Sequence, residues 1–83
     1  MKLELRRNDT EIITLMDQGG LYPPTSEEFE RAMRLIANAI EFASNTYDLM
    51  PSLLYVTLNG QEVPGTIDTP EELEHWYLME FGL

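Results

Sequence analysis

A long amphipathic segment constrains the fold of this chain more than any other feature. Between Ser26 and about Tyr47, apolar residues recur at the three- and four-residue spacing of an α-helix. They are Phe29, Ala32, Met33, Leu35, Ile36, Ala37, Ala39, Ile40, Phe42, Ala43 and Tyr47. This set covers more than half of the helix circumference, whereas a surface helix needs an arc of only about 100°. The segment therefore predicts a helix that contacts both a sheet and something else, either a second helix or another subunit.

A second constraint is the stretch SLLYVTLNGQEVPG, which begins at Ser52. Its β-branched and aromatic residues run into Asn59-Gly60, the dipeptide that suits the positive φ angles of a type I′ turn. Pro64 has no amide hydrogen to give to a ladder. The stretch predicts a hairpin whose second strand is short or lies at a sheet edge.

The first seventeen residues leave two interpretations open. Leu3 and Leu5 alternate, the pattern breaks before Thr10, and β-favouring residues follow, which predicts a hairpin. In that hairpin Arg6 faces Glu11 and Leu5 meets Ile12. The other interpretation is a short helix over residues 10–18, capped by Thr10 and Gly19. The next segment, QGGLYPP, predicts a loop with Leu21 and Tyr22 turned inward.

The last predicted element is a helix from Pro70 to about Phe81. Thr69 is placed as its N-cap, Pro70 occupies the first helical position, and Gly82 follows the last turn. Its inward stripe consists of Leu73, Trp76, Tyr77 and Phe81.

Both predicted helices open on nearly the same hexapeptide, TSEEFE and TPEELE. Thr25 with Glu28, and Thr69 with Glu72, have the spacing of a capping box, in which the hydroxyl accepts from one amide and the carboxylate reaches back to another. Helix initiation therefore accounts for the likeness. Duplication of a strand-strand-helix unit stays open as an alternative, because each hexapeptide follows a candidate hairpin.

These elements predict an α+β fold of order ββαββα, with one antiparallel sheet and two helices packed on one face. Residues 1–83 suffice for a single small acidic domain. The chain has no cysteine and no apolar run long enough to cross a membrane. We expect a cytoplasmic protein.

The charge balance limits the classes of partner that the chain can bind. Fifteen Asp and Glu stand against five Lys and Arg, a formal net charge of −10. Such a surface repels phosphate backbones and acidic membranes, so direct binding of nucleic acid or lipid is disfavoured and basic proteins are favoured. The alternative is that the acidity serves only to keep a small protein in solution.

The sequence carries no catalytic signature. It lacks a thiol nucleophile and a glycine-rich phosphate loop, and its only imidazole is His75. Glu72 and His75 stand three residues apart, as in half of a di-iron motif, but no second histidine exists to complete the pattern. We therefore expect no enzymatic activity, no metal and no cofactor.

The two predicted helices differ in whether a cation lies within reach of their carboxylates. On the first, Glu27 and Glu30 each precede an arginine by four residues, the order that favours local ion pairs. On the second, no Lys or Arg lies within reach along the helix. Its outer side is expected to carry acidic and apolar residues together, which suits a basic protein surface. The predicted partner-binding residues are Asp68, Glu71, Glu72, Glu74, His75, Leu78 and Met79.

The stretch DTPEELEHWYLMEFGL resembles the acidic, aromatic helix openings of small phage-encoded inhibitors, including some anti-CRISPR proteins. The residues that carry the resemblance are Asp68, Thr69, Glu72, Leu73 and Trp76. It covers less than a fifth of the chain. It implies a protein that blocks a nucleic-acid-handling complex by placing carboxylates where phosphates would lie, or by occluding a basic groove.

The sequence thus favours a small acidic protein-binding module that inhibits or modulates a basic, nucleic-acid-handling partner. The alternative is a homo-oligomeric assembly or accessory protein without inhibitory activity. In that case the wide apolar arc of the first helix, which contains Phe29, Leu35 and Phe42, would form the subunit contact.

Overall fold

The fold follows from a computed structural model that describes residues 1–8, 10–18, 24–47 and 53–82. Its elements are β1 (Lys2–Arg7), β2 (Thr10–Asp17), α1 (Ser26–Tyr47), β3 (Leu54–Leu58), β4 (Gln61–Glu62) and α2 (Pro70–Phe81). The predicted α+β class and ββαββα order are confirmed. Most of the predicted QGGLYPP loop, including Leu21 and Tyr22, lies outside the described residues, as does Gly19.

Residues 10–17 form a strand, so the hairpin interpretation of the N-terminal segment is confirmed and the helix interpretation is wrong. Arg6 pairs with Glu11, as predicted. Leu5 pairs with Ile13 and not with Ile12, because the register shifts between Leu5 and Arg6. A second shift follows Leu3. Each shift places an extra residue on β2, as in a β-bulge, and bulges of this kind bend an edge strand away from pairing with other chains.

The second hairpin turns at Asn59 and Gly60, whose φ angles are 50° and 85°. These positive angles confirm the predicted turn. β4 is only two residues long and lies at a sheet edge, as Pro64 predicted. The amide of Asn59 donates to the carbonyl of Lys2, and the amide of Lys2 donates to Asn59 Oδ1, both at 2.8 Å. The turn is thereby fastened to β1.

The four strands form one antiparallel sheet in the order β2-β1-β3-β4. The first strand of each hairpin is central, and β1 pairs with β3 along its length. Leu3 lies opposite Leu58 and Leu5 opposite Val56, and all four side chains are buried. This aligned apolar strip forms the floor of the core.

Both helices lie on the same face of this sheet. α1 contacts β1, β2 and β3, and α2 packs against α1. The residues that α1 buries include Phe29 and three alanines, Ala32, Ala39 and Ala43. The broad apolar arc of α1 therefore serves both the sheet and the second helix, as its width predicted.

Among the arc residues whose side chains the structure describes, two face outward, and this bears on the predicted contact between subunits. Ala37 is exposed, and Phe42 is 54% exposed. Phe29, in contrast, is fully enclosed by the core, and Leu35 packs against that core while half-buried. A contact between subunits cannot use Phe29 without opening the domain, so of the three residues only Phe42 presents most of its side chain to a second copy.

A candidate partner-binding face on the C-terminal helix

The N-terminus of α2 is fixed by Thr69. Its side-chain oxygen accepts a hydrogen bond from the Glu72 amide at 3.1 Å and donates one to Glu72 Oε1 at 3.1 Å. The cap is as predicted, but the carboxylate bonds the hydroxyl of Thr69 and not the backbone amide of a capping box. Gly82, at φ 69°, closes the other end by donating to the Leu78 carbonyl. The helix therefore starts and stops where its sequence specifies.

The rotation of α2 about its axis is set by its apolar stripe. Leu73 and Tyr77 are buried, and Trp76 and Phe81 are half-buried against the core. The Tyr77 ring lies edge-on to Phe29 of α1, with centroids 5.5 Å apart, and also contacts Phe81 at 4.7 Å. Because these aromatic contacts hold one side of the helix inward, the side centred on His75 faces solvent.

Six of the seven predicted partner-binding residues are exposed: Asp68, Glu71, Glu72, His75, Leu78 and Met79. Of the two apolar members, Leu78 is 39% exposed and Met79 is 73% exposed. Glu74 is half-buried on the flank of the helix, which the sequence did not predict. The acidic and apolar residues of the predicted face are therefore accessible together, with Glu74 contributing least.

Part of this set lines a groove of about 500 Å³. Its lining residues are Pro64, Thr66, Ile67, Glu71, Glu72, His75, Trp76 and Met79. Asp68 lines a neighbouring groove, whereas Glu74 and Leu78 line neither of the two. Met79 therefore lies in a groove with Glu71, Glu72 and His75, whereas Leu78 is exposed outside these two grooves.

Sequence reasoning missed the segment that forms the opposite wall of this groove. Pro64, Thr66 and Ile67 belong to the turn between β4 and α2. One signal was available, because Ile67 is an isolated large apolar residue in a Pro- and Gly-containing turn. Its side chain is half-buried against the core and is shared by adjoining grooves.

The charged side chains of α2 itself are all carboxylates, apart from the imidazole of His75. All five Lys and Arg of the chain lie at or before Arg34, whereas eight of the fifteen Asp and Glu follow it. None of these cations forms an ion pair with a carboxylate of the α2 face in the described parts of the chain. The exposed carboxylates of α2 therefore have no cationic partner among the described residues.

The predicted contrast with α1 is only partly correct. Glu27 and Glu30 have arginines four residues later, but neither pair forms an ion pair in the structure. All four of these side chains are exposed, so their attraction is screened by water. What distinguishes the helices is that α1 carries cations on the same surface as its acids, while α2 carries none.

Glu72 and His75 line the same groove, yet within residues 1–8, 10–18, 24–47 and 53–82 no three His, Asp or Glu side chains are placed to hold a metal ion. Neither described helix combines the length and apolarity needed to cross a membrane. Comparison of the chain with protein-family models, curated proteins and solved structures found no match.

Proposed function

We propose that this chain is a small cytoplasmic protein-binding module that inhibits or modulates a basic, nucleic-acid-handling protein through the outer face of α2. We define the docking face as Asp68, Glu71, Glu72, Glu74, His75, Leu78 and Met79. The observation that carries the proposal is that α2 exposes two large apolar side chains together with carboxylates that form no ion pair among the described residues.

The two kinds of side chain have different tasks. Carboxylates that lack a cation of their own chain attract a basic surface from a distance and raise the rate of encounter. Exposed apolar groups such as Met79 then supply the burial that keeps the complex together, at about 25 cal/mol per Å² of apolar area removed from water. Because the charged groups supply part of the affinity, binding should weaken as the salt concentration rises.

The partner is proposed to handle nucleic acid because the face presents several negative charges on a short helix. Glu71 and Glu72 lie on the outer side of the first turn, and Asp68 lies just before it. A protein groove built for phosphates meets such carboxylates as it would meet a backbone, and this is the sense in which the chain is a nucleic-acid mimic. The chain itself, at net charge −10, does not bind nucleic acid.

A second candidate is a homo-oligomeric assembly protein without inhibitory activity. It is favoured by one observation, the 54% exposure of Phe42 on α1. A dimer held mainly by apolar contacts would persist as salt rises. Light scattering at low and high salt therefore separates this candidate from charge-led binding, in which the free chain is a monomer.

The proposed function is tested with a triple variant, Glu71→Gln, Glu72→Gln and Glu74→Gln, immobilised beside the unaltered chain in extract of the native cell. The partner is a protein that the unaltered chain retains, the triple variant loses, and about 0.5 M salt elutes, because the screening length is then only a few ångströms. Its binding to nucleic acid is then measured with and without the chain.

A matched control carries the same change in net charge elsewhere, through Asp17→Asn, Glu27→Gln and Glu30→Gln, all at exposed positions. We expect the control to retain the partner. Equal loss with both triple variants would show that total charge, and not the α2 face, holds the partner. An unchanged affinity of that partner for nucleic acid would overturn the inhibitory role.

A further inference from the structure

A second groove adjoins the docking face and lies between α1 and the segment that precedes α2. Its volume is about 580 Å³ and its lining is mainly apolar. The lining residues are Met33, Ile36, Ala37, Ile40, Glu41, Ser44, Asn45, Ile67 and Asp68. We call it the Ile67 groove, since Ile67 also lines the groove on α2 and joins the two.

The floor of the Ile67 groove is one stripe of α1. Met33, Ile36, Ala37 and Ile40 follow the helical spacing, and the three larger residues are half-buried. Met33, Ile36 and Ile40 pack against the core on one side and line the groove on the other. This is the part of the broad apolar arc that neither the sheet nor α2 covers completely.

The rim of the groove is acidic. Glu41 lies on the α1 side and Asp68 on the opposite side, both exposed, and Glu71 and Glu72 continue the rim into the adjoining groove. No Lys or Arg side chain lines either groove. Arg31 and Arg34 line a different depression, with Gln18 and Thr25.

We propose that the Ile67 groove binds a cationic amphipathic segment of the protein partner. An apolar floor inside an acidic rim is complementary to a segment with apolar residues on one side and Lys or Arg on its flanks. The aliphatic stems of those cationic residues cover apolar surface while their charged ends reach the rim carboxylates. An amphipathic helix laid in a groove is a common way for proteins to recognise such segments.

A second copy of the chain is a poor occupant of the groove. Two copies would bring two acidic rims together, each on a molecule of net charge −10. An acidic or neutral peptide would leave Glu41 and Asp68 without partners. Charge complementarity therefore selects a basic segment, and this inference rests on the proposed function, of which it specifies the partner's recognition element.

The test uses the whole chain and a synthetic amphipathic helix of leucine and lysine. Two control peptides accompany it: the same helix with glutamate in place of every lysine, and a scrambled peptide of identical composition that has no apolar side. Binding is followed by the methyl signals of the five isoleucines, at positions 12, 13, 36, 40 and 67. Three of them line the groove, and Ile12 and Ile13 lie on β2 as an internal control.

We expect the leucine–lysine helix to shift the signals of Ile36, Ile40 and Ile67 and to leave those of Ile12 and Ile13 in place. The glutamate helix should bind negligibly, and the scrambled peptide should bind more weakly without selecting the three groove signals. Equal shifts at all five isoleucines, or equal binding by the scrambled peptide, would overturn the proposal.

Ala37→Arg supplies the decisive variant, because Ala37 is exposed, lines the groove and can be replaced without disturbing the core. The arginine fills the groove and places a cation where the peptide's cations would lie. Affinity should fall at least about tenfold, a loss of about 1.4 kcal/mol in binding free energy. Asn38→Arg, which changes the net charge equally at the adjacent exposed position outside the groove, should reduce affinity by less than about threefold.

The two proposals can fail separately. Equal effects of Ala37→Arg and Asn38→Arg on peptide binding would remove the groove but not the docking face on α2. Retention of the native partner by the Glu71, Glu72 and Glu74 triple variant would remove the docking face, while selective loss of the peptide in Ala37→Arg would still support the groove.

Discussion

Phe29 of α1 and Tyr77 of α2 meet edge to face, with ring centroids 5.5 Å apart and ring planes inclined at 70°. Phe29 is fully buried and Tyr77 nearly so. This is the preferred geometry of aromatic pairs, in which the positive edge of one ring approaches the negative face of the other. The contact joins the helices and fixes which side of α2 faces solvent, so it also determines the presentation of the docking face.

Phe29→Ala should therefore destabilise the domain strongly, by about 3–5 kcal/mol in the free energy of unfolding. The same substitution at Phe42, farther along α1 and 54% exposed, should cost about 1 kcal/mol or less. Urea denaturation followed by circular dichroism measures both. If Phe29→Ala is too unstable to study, Phe29→Leu should still cost more than Phe42→Leu. Equal costs at the two positions would contradict the placement of Phe29 in the core.

The two helix caps should differ in strength. Thr69 makes two side-chain hydrogen bonds of 3.1 Å to Glu72, whereas the Thr25 side chain accepts one bond of 3.3 Å from the Glu28 amide. Thr69→Ala should reduce stability by about 1 kcal/mol, and Thr25→Ala by less. Serine at either position retains the hydroxyl and should restore most of the loss. A larger loss at Thr25 in thermal denaturation would show that the second bond at Thr69 adds nothing.

The Asn59-Gly60 turn allows its backbone and side-chain contributions to be separated. Asn59→Gly retains the positive φ but removes the Oδ1 that accepts from Lys2, and should cost about 0.5–1.5 kcal/mol. Gly60→Ala meets no atom within 4 Å of the added Cβ, so its cost of about 1–2 kcal/mol comes from the left-handed backbone alone. Gly65→Ala, at which the Cβ also meets no atom within 4 Å, should be nearly neutral. A neutral Gly60→Ala would contradict the turn.

Among the described side chains of the sheet, Glu4 is a buried carboxylate whose contact with a cation is testable. Glu4 is 4% exposed, and both of its oxygens lie 3.3 Å from Arg6 Nη2. Arg6→Leu leaves this carboxylate in the protein interior without that cation and should cost about 1–3 kcal/mol. Arg7→Leu, at the neighbouring exposed position, should change stability by less than about 0.5 kcal/mol. Thermal or urea unfolding at neutral pH compares the two.

Much of the fold could be predicted from the sequence because its signals are local. The ends of α2 are specified by Thr69, Pro70 and Gly82, and the turn of the second hairpin is specified by Asn59-Gly60. Both signals act through backbone preferences that extend over a few residues. The register of the first hairpin could not be obtained in the same way. Strict alternation pairs Leu5 with Ile12, whereas the structure shifts the register twice, which places Ile13 opposite Leu5 and the buried Met16 opposite Leu3.

The candidate site likewise has parts that the sequence predicts and parts that it does not predict. The outward orientation of Leu78 and Met79 follows from the helical period once Leu73 and Tyr77 are placed inside. The grooves do not follow from any period, because they arise where the turn that carries Ile67 packs beside both helices. The half-burial of Glu74 has the same origin, in tertiary packing on the flank of α2.

Removing the exposed apolar groups of the docking face should separate binding from stability. Leu78→Ser and Met79→Ser together should change the free energy of unfolding little, because Met79 is 73% and Leu78 39% exposed. Affinity for the retained partner should fall about tenfold or more, since buried apolar contacts hold the complex after charge has guided the encounter. Leu53→Ser, at a position 48% exposed and outside this face, is the matched control and should leave affinity unchanged.

Surface plasmon resonance should show that the double serine variant loses affinity through faster dissociation. The Glu71, Glu72 and Glu74 triple variant should instead mainly slow association. If the serine variants bind the partner as tightly as the unaltered chain does, the apolar half of the docking face has no part in recognition.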